Sequence, residues 1–214
     1  MILIGQYDSP FVRRVAIALR LYGMAYEHQP WSTFGQADKI AAYNPLIRVP
    51  TLILDPIGEE GGEVLIESAF ILDWLDELAG PERALIAASG PERRKALKVC
   101  ALTSGLADKV VSLIYERVIH GRETPAWVAR CRAQIDGALT LLEADRAARA
   151  TPWWFGDRIN HADIIVGCVL RIIGEALPDA YDSASWPALA AHAAACEALP
   201  DFAAVVQPFA APKG

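Results

Sequence analysis

Apolar and polar residues change period several times in the first third of the chain. Residues 2–6 form a short apolar run of strand length that closes near Asp8-Ser9-Pro10. Apolar residues then recur at helical spacing, at Phe11, Val15, Ala18, Leu19 and Tyr22. Arg13, Arg14 and Arg20 lie off that stripe, and Gly23 is placed to end the helix. Residues 26–29 read as a weak strand, and 37–43 as a short helix stopped by Asn44-Pro45. Residues 51–54 are β-branched and apolar, the signature of a buried strand. A turn carrying Pro56, Gly58, Gly61 and Gly62 joins them to a further strand at 63–66. Ala69, Leu72, Leu75 and Leu78 then mark a helix that Gly80-Pro81 ends. The predicted order is β-α-β-α-β-β-α with mixed strand directions.

Beyond that point the period is helical throughout. Residues 80–92 carry Pro81, Gly90 and Pro91 and read as a linker. A long helix is predicted over 93–120. A second opens at Thr124-Pro125, with proline suited to a first helical turn, and runs to about 149. A loop holds Trp153-Trp154-Phe155-Gly156, an apolar helix spans 162–176, and Ala-rich helices cover 187–199 and 201–207. The expected organisation is an α/β domain over 1–79, a linker over 80–92 and an all-α domain over 93–214.

Composition narrows the classes. The 214 residues are 53% hydrophobic and 21% charged, enough for full cores and unlike a disordered chain. A net charge of -6, with no Lys/Arg stripe interleaved with aromatics, argues against nucleic acid as a partner. No apolar run reaches the ~18 residues that span a bilayer, so no membrane role is expected. The N-terminal run has no basic region before it and reads as a strand instead of a signal peptide. Cys100, Cys131, Cys168 and Cys196 are widely spaced and form no CxxC, so they read as small buried apolar residues. A reducing, cytoplasmic setting follows, with no metal site.

Three dipeptides carry candidate chemistry, and each also has a plain structural reading. Ser9 stands between the first strand and the first helix, beside free N–H groups that favour negative charge, yet Ser before Pro is also an ordinary N-cap. Val49-Pro50 precedes a buried strand, and its peptide bond can be cis or trans. In the cis form the Val49 backbone would be free to pair with a peptide-like ligand as an added strand. Glu67-Ser68 opens the third helix. Ser68 can offer its hydroxyl and N–H to a carboxylate and Glu67 an acceptor to an ammonium group, or the two can be a cap with an acid in the first turn.

Taken together, the series strand, Ser9-Pro10-Phe11-x-x-Arg14, helix, Asn44-Pro45-x-x-x-Val49-Pro50-Thr51-Leu52, hairpin, Glu67-Ser68, helix resembles the cytosolic glutathione transferases. It is most similar to their serine-using classes, of tau, zeta or theta type or a related bacterial class. Phe155-Gly156-Asp157 with Asn160-His161-Ala162-Asp163-Ile164 resembles that family's loop and capping box before the central helix of its second domain. The likeness covers most of the chain. Ile47 stands where the family often has Gly, which bears on the loop near Arg48, and Asn160 where Thr or Ser is usual.

The resemblance implies a thioredoxin-like N-terminal domain and an all-α C-terminal domain. It implies an enzyme that uses glutathione as co-substrate, without a cofactor, against a small hydrophobic electrophile. Val49 would pair with the glutathione backbone beside Pro50, Ser68 and Glu67 would hold its γ-glutamyl end, and Arg48 could reach its glycine carboxylate. Ser9 would stabilise the thiolate, with Tyr7 as the rival donor. Phe11 and Tyr115 are candidate walls of an electrophile pocket between the domains. A homodimer with two-fold symmetry is implied as well. A binding protein of the same fold with little chemistry, and a pure interaction protein, are the competing readings. Intact Val49-Pro50 and Glu67-Ser68 weigh against the last.

Overall fold

The computed structural model describes residues 1–54, 62–119, 121 and 123–211. The chain divides into two compact units, Met1–Ala88 with Pro200–Gln207, and Ser89–Leu199 with the residues from Pro208 onward.

The first unit holds β1 (Ile2–Ile4), α1 (Pro10–Tyr22), β2 (Glu27–Gln29), α2 (Ala37–Ala41), β3 (Thr51–Ile53), β4 (Val64–Ile66) and α3 (Ser68–Ala79). The sheet order is β2-β1-β3-β4. β2 runs parallel to β1, while β3 is antiparallel to both β1 and β4. Strand alternation sends Ile2, Ile4, Ile53 and Val64 to one face, where they pack with Ile40 of α2, Trp31 and Val49. Leu3 and Leu52 point to the other face and are fully buried. Most of the turn predicted over 55–62 lies outside the described residues.

α1 begins at a Ser9 cap and ends at Gly23, whose φ of 67° lets its N–H turn back onto the last carbonyls. Its two central arginines depart from the sequence reading, because both are buried. Arg13 donates from Nε to the Val205 carbonyl (3.0 Å) and from Nη2 to the Phe202 carbonyl (3.1 Å). These bonds tie the last helix, α8 (Pro200–Ala203), to α1. That helix is shorter than the predicted 201–207 and clusters with the first unit. The predicted linker also ends early, since Gly90–Glu92 already form the first turn of the next helix.

The second unit contains α4 (Gly90–Val118), α5 (Pro125–Ala147), α6 (His161–Ala176) and α7 (Pro187–Glu197). Residues 161–170 of α6 are all buried, as expected of a helix surrounded by others. It packs against α4 and α7. Asn160 caps it by accepting from the Ala162 N–H (2.8 Å), and Asp163 reaches back to accept from the Asn160 N–H (2.8 Å). The second Asp163 oxygen accepts from the Trp154 N–H (2.7 Å). His192 lies 3.5 Å from Asp163 and accepts on Nδ1 from Arg146 Nε (3.3 Å). Burial pushes His192 down to about 4, so at neutral pH it is an uncharged partner of Asp163. Burial also pushes Asp163 up to about 6, against backbone N–H groups, those of Trp154 and Asn160 first, and the Arg146 charge, which lower it. The four cysteines form no disulfide, and three of them are buried.

Candidate active site

Strand register decides what meets what. Ile4 pairs with Gln29 and with Thr51, and Thr51 pairs with Ile66, so Gln29, Ile4, Thr51 and Ile66 form the last rung of the sheet. The chain leaves this rung after Ile4, arrives at it before Thr51 and leaves it after Ile66. Ser9, Val49-Pro50 and Glu67-Ser68 therefore emerge at one end of the sheet. From β1 to β4 that end spans about 10 Å, two strand spacings.

Gly5 makes the convergence tight. Its φ is 129°, and a Cβ there would stand 2.5 Å from Val12 Cγ2 and 2.8 Å from Val49 Cβ. Only a residue without a side chain lets the end of β1, the start of α1 and the Val49 loop come this close. Spacing and motif patterns in the sequence do not mark this position. A glycine closing an apolar strand run is the signal that could have found it.

The Val49 loop is built on Asn44, which is buried. Its Nδ2 donates to the Arg48 carbonyl (3.0 Å) and to Thr51 Oγ1 (3.3 Å), and its Oδ1 accepts from the Leu46 N–H (3.0 Å). Ile47 in this loop has φ 50° and Glu67 has φ 69°, the positive-φ non-glycine residues among those described. Ile47 thus adopts the conformation glycine would take without a steric penalty. The Val49-Pro50 peptide is cis. The Val49 side chain packs against Ile4, Ile40 and Ile53. Its backbone N–H and C=O have no hydrogen-bond partner among the described residues. The Arg48 side chain is exposed.

Ser9 is the N-cap of α1 and accepts from the Val12 N–H at 3.4 Å, a long bond that leaves its hydroxyl proton uncommitted. Tyr7 turns elsewhere. Its ring stacks on His28 (centroids 3.9 Å, planes at 6°), and its hydroxyl pairs with that of Tyr26 at 2.9 Å. Tyr26 precedes β2 and sits at the other end of the sheet from the last rung. Burial, then the Tyr26 hydrogen bond, push the Tyr7 phenol far above its usual value.

Of the two readings of Ser68, the plain structural one, a cap, does not hold. The cap position of α3 belongs to Glu67, and Ser68 is the first helical residue. Its hydroxyl is fully buried and engaged twice. It accepts from Arg14 Nη2 (2.6 Å) and donates to Glu67 Oε1 (3.2 Å). The Ser68 N–H has no partner among the described residues. Arg14, which sequence spacing had set off the buried stripe, is thus part of the same cluster. Its guanidinium also lies 5.8 Å from the Phe11 ring centroid. Tyr115 lies on α4 in the second unit and is 40% exposed.

Comparison with known proteins gives the family of the chain. The glutathione S-transferase N-terminal domain model matches residues 3–83, and the C-terminal domain model matches residues 125–195. The chain belongs to the glutathione S-transferase family. Maleylacetoacetate isomerase of Pseudomonas aeruginosa is 31% identical to it over 175 residues, covering 77% of each chain. A glutathione S-transferase from Methylobacterium radiotolerans, solved in complex with glutathione sulfonate, is 33% identical, with a TM-score of 0.86 over 100% of this chain and 97% of that one. A glutathione transferase family member from Pseudomonas fluorescens, solved with bound glutathione, is 28% identical, with a TM-score of 0.81 over 97% and 99%. This transferase therefore has the mixed four-stranded domain and the helical domain of its family. Among its described residues no helix is long and apolar enough to cross a membrane.

Proposed function

We propose that this transferase takes glutathione as co-substrate across the last rung of its sheet and activates the thiol with Ser9 for attack on a small hydrophobic electrophile. The register that gathers Ser9, Val49 and Glu67-Ser68 at one sheet end is the observation that carries this reading. An extended tripeptide is about 10 Å long, the span from β1 to β4. Val49 offers it one unpartnered N–H and one C=O, the requirement for pairing as an added strand. The γ-glutamyl carboxylate meets the Ser68 N–H and hydroxyl at the start of α3, and its ammonium meets Glu67. Arg48, exposed on the same loop, is the group assigned to the glycine carboxylate. The glutathione-bound structures of its relatives support the same ligand here.

The thiol then falls at the start of α1. Lowering a thiol pKa by about two units requires roughly 2.7 kcal/mol of preference for the anion. A hydrogen bond to a charged group supplies about 1.5–3 kcal/mol. The helix N-terminus adds about 0.3–1 kcal/mol. Ser9 has the hydroxyl proton and the position for this. Tyr7 has its hydroxyl committed to Tyr26 at the far end of the sheet.

The test is an ultraviolet titration of the thiolate band with glutathione at neutral pH, in the wild type, Ser9→Ala and Tyr7→Phe. A saturating band in the wild type that Ser9→Ala shifts up by about one to two pH units, with kcat/KM down ~10–100-fold, is expected. Tyr7→Phe should leave the band in place. Loss of the band in Tyr7→Phe alone would transfer the role to Tyr7, and no band in the wild type would leave a glutathione-binding protein without thiol activation. We place the transferase as a two-fold homodimer, for which Leu46 and Phe70, 64% and 72% exposed, are apolar surface available for burial. A monomer in light scattering at micromolar concentration would refute that.

A further inference from the structure

We infer that Gln207 is a positioning residue for Ser9: the segment Pro200–Gln207 is a strap whose last side chain fixes the turn that presents the Ser9 hydroxyl. The inference rests on the reading above in which Ser9 activates the thiol. Residues 5–9 carry the chain from the end of β1 to the start of α1. A hydroxyl serves a thiolate only while its oxygen is held within about 0.5 Å of its place. The turn itself supplies little for that. The Ser9 N–H donates to the Gln6 carbonyl at 3.2 Å, and Ser9 Oγ has the long bond from the Val12 N–H. The β1 side is pinned from outside. The Gly5 N–H donates to the Gln29 carbonyl (2.9 Å), the Gly5 carbonyl accepts from His28 Nε2 (2.8 Å), and the Tyr7 ring lies flat on the His28 ring.

The middle of the turn is held by Gln207. Its Oε1 accepts from the Tyr7 N–H at 3.0 Å, across 200 positions of sequence. Tyr7 is half-buried, so an N–H that lost this acceptor would relax toward water and carry Ser9, two residues on, with it. Gln207 reaches the turn because the segment before it is fastened to α1. Arg13 donates to the Phe202 and Val205 carbonyls, and its guanidinium lies 5.5 Å from the Phe202 ring centroid. Phe202 and Val205 are buried, and Arg20 Nε pairs with Asp201 at 3.2 Å. Anchors at 201, 202 and 205 leave the chain little freedom at 207, so little further entropy is lost in placing the amide. Tyr7→Phe keeps both the N–H and the ring stack, which is why that variant leaves Ser9 in place.

Thiolate titration with glutathione and steady-state kinetics with chlorodinitrobenzene as electrophile, both on the full chain, test this. Gln207→Leu keeps the bulk and loses the acceptor. It should raise the pH at which the thiolate band appears by about 0.5–1 unit and lower kcat at neutral pH by about 3–10-fold. KM for glutathione should stay within about 2-fold, because the contact removed is to the turn and not to the groups assigned to the ligand. Gln207→Glu keeps an accepting oxygen. In about 0.5 M salt, which screens its charge, it should recover kcat to within about 2-fold of the wild type. An unmoved thiolate band in Gln207→Leu would overturn the inference, and so would a Gln207→Glu as impaired as Gln207→Leu. Equal loss of kcat and glutathione affinity, together with a lower melting temperature, would also overturn it and make Gln207 a residue of the fold alone. A wild-type band that Ser9→Ala leaves unmoved would instead sink the Ser9 reading itself, and this inference with it.

Discussion

Two helix starts in this molecule solve the same problem in opposite ways. At α6 the free N–H groups are answered from within. Asn160 caps the helix, Asp163 accepts from Asn160 and Trp154, and Asp163 and His192 are completely buried. At the end of the sheet in the first unit the starts of α1 and α3 are left open. Ser9 makes one long cap bond, the Ser68 N–H has no partner among the described residues, and Glu67 offers α3 no side-chain cap. The positive-φ non-glycine residues, Ile47 and Glu67, belong to the open end. A closed start stabilises the fold, whereas an open one keeps its anion-binding capacity for a ligand, with backbone strain accepted in the loops around it.

The strongest way to break this contrast is Gly5→Ala. Its Cβ would overlap Val12 and Val49 at a φ of 129°. The expected loss is about 3 kcal/mol or more, from overpacking and an unfavourable backbone together, and glutathione affinity should fall as Val49 is displaced. Denaturant melts and calorimetry check both. Normal stability would show that the close approach at Gly5 is not needed.

Asp163→Ala should cost a similar amount, about 3 kcal/mol, because it orphans two buried backbone donors. It should leave the glutathione affinity of the folded protein unchanged. A matching loss of affinity would erase the distinction between the closed start and the open one.

The pH dependence of stability gives a sharper reading of the closed start. Asp163, raised to about 6, holds a proton in the folded chain where the unfolded carboxyl has lost it above ~3.9. Alone it makes stability fall as pH rises from about 4 to 6. His192, lowered to about 4, is neutral in the folded chain where an unfolded histidine is charged below ~6.5, and alone it makes stability rise across that range. The two slopes oppose, so their joint contribution should be nearly flat. His192→Asn should unmask the falling slope in urea titrations at successive pH values, and a rising profile in that variant would contradict the raised Asp163.

The smallest effect is expected at Ile47→Gly. A β-branched residue in the left-handed region costs about 1–2 kcal/mol, and glycine's extra unfolded-state freedom costs about 0.5–1 kcal/mol. A net gain of under about 1 kcal/mol should appear in denaturant melts. A loss there would mean that Ile47 packing outweighs its backbone strain.

Much of the candidate site was legible in the sequence. Ser9, Val49-Pro50 and Glu67-Ser68 were visible as punctuation between elements, because caps, turns and strand ends have local chemical signatures. Gly5, Asn44 and Arg14 were not singled out for function, since each acts through a partner that spacing does not reveal. Arg14 fell off the apolar stripe and looked solvated, yet a buried serine hydroxyl 54 positions away accepts from it. For Ser68 the sequence left a ligand role and a cap both open, and the structure removes the cap, since Ser68 is the first residue inside its helix.

By itself the sequence determined the order of the elements, the Ser9 and Asn160 caps, the helical character of everything after the hairpin and the family resemblance. These follow from interactions within about four residues or from the period of the apolar pattern. Tertiary structure alone decided that three loops share the last rung of the sheet, that Tyr7 turns away from it and that Arg14 is buried under Ser68. Those outcomes depend on strand register and on pairing between residues far apart in the chain, where no local periodicity carries the information.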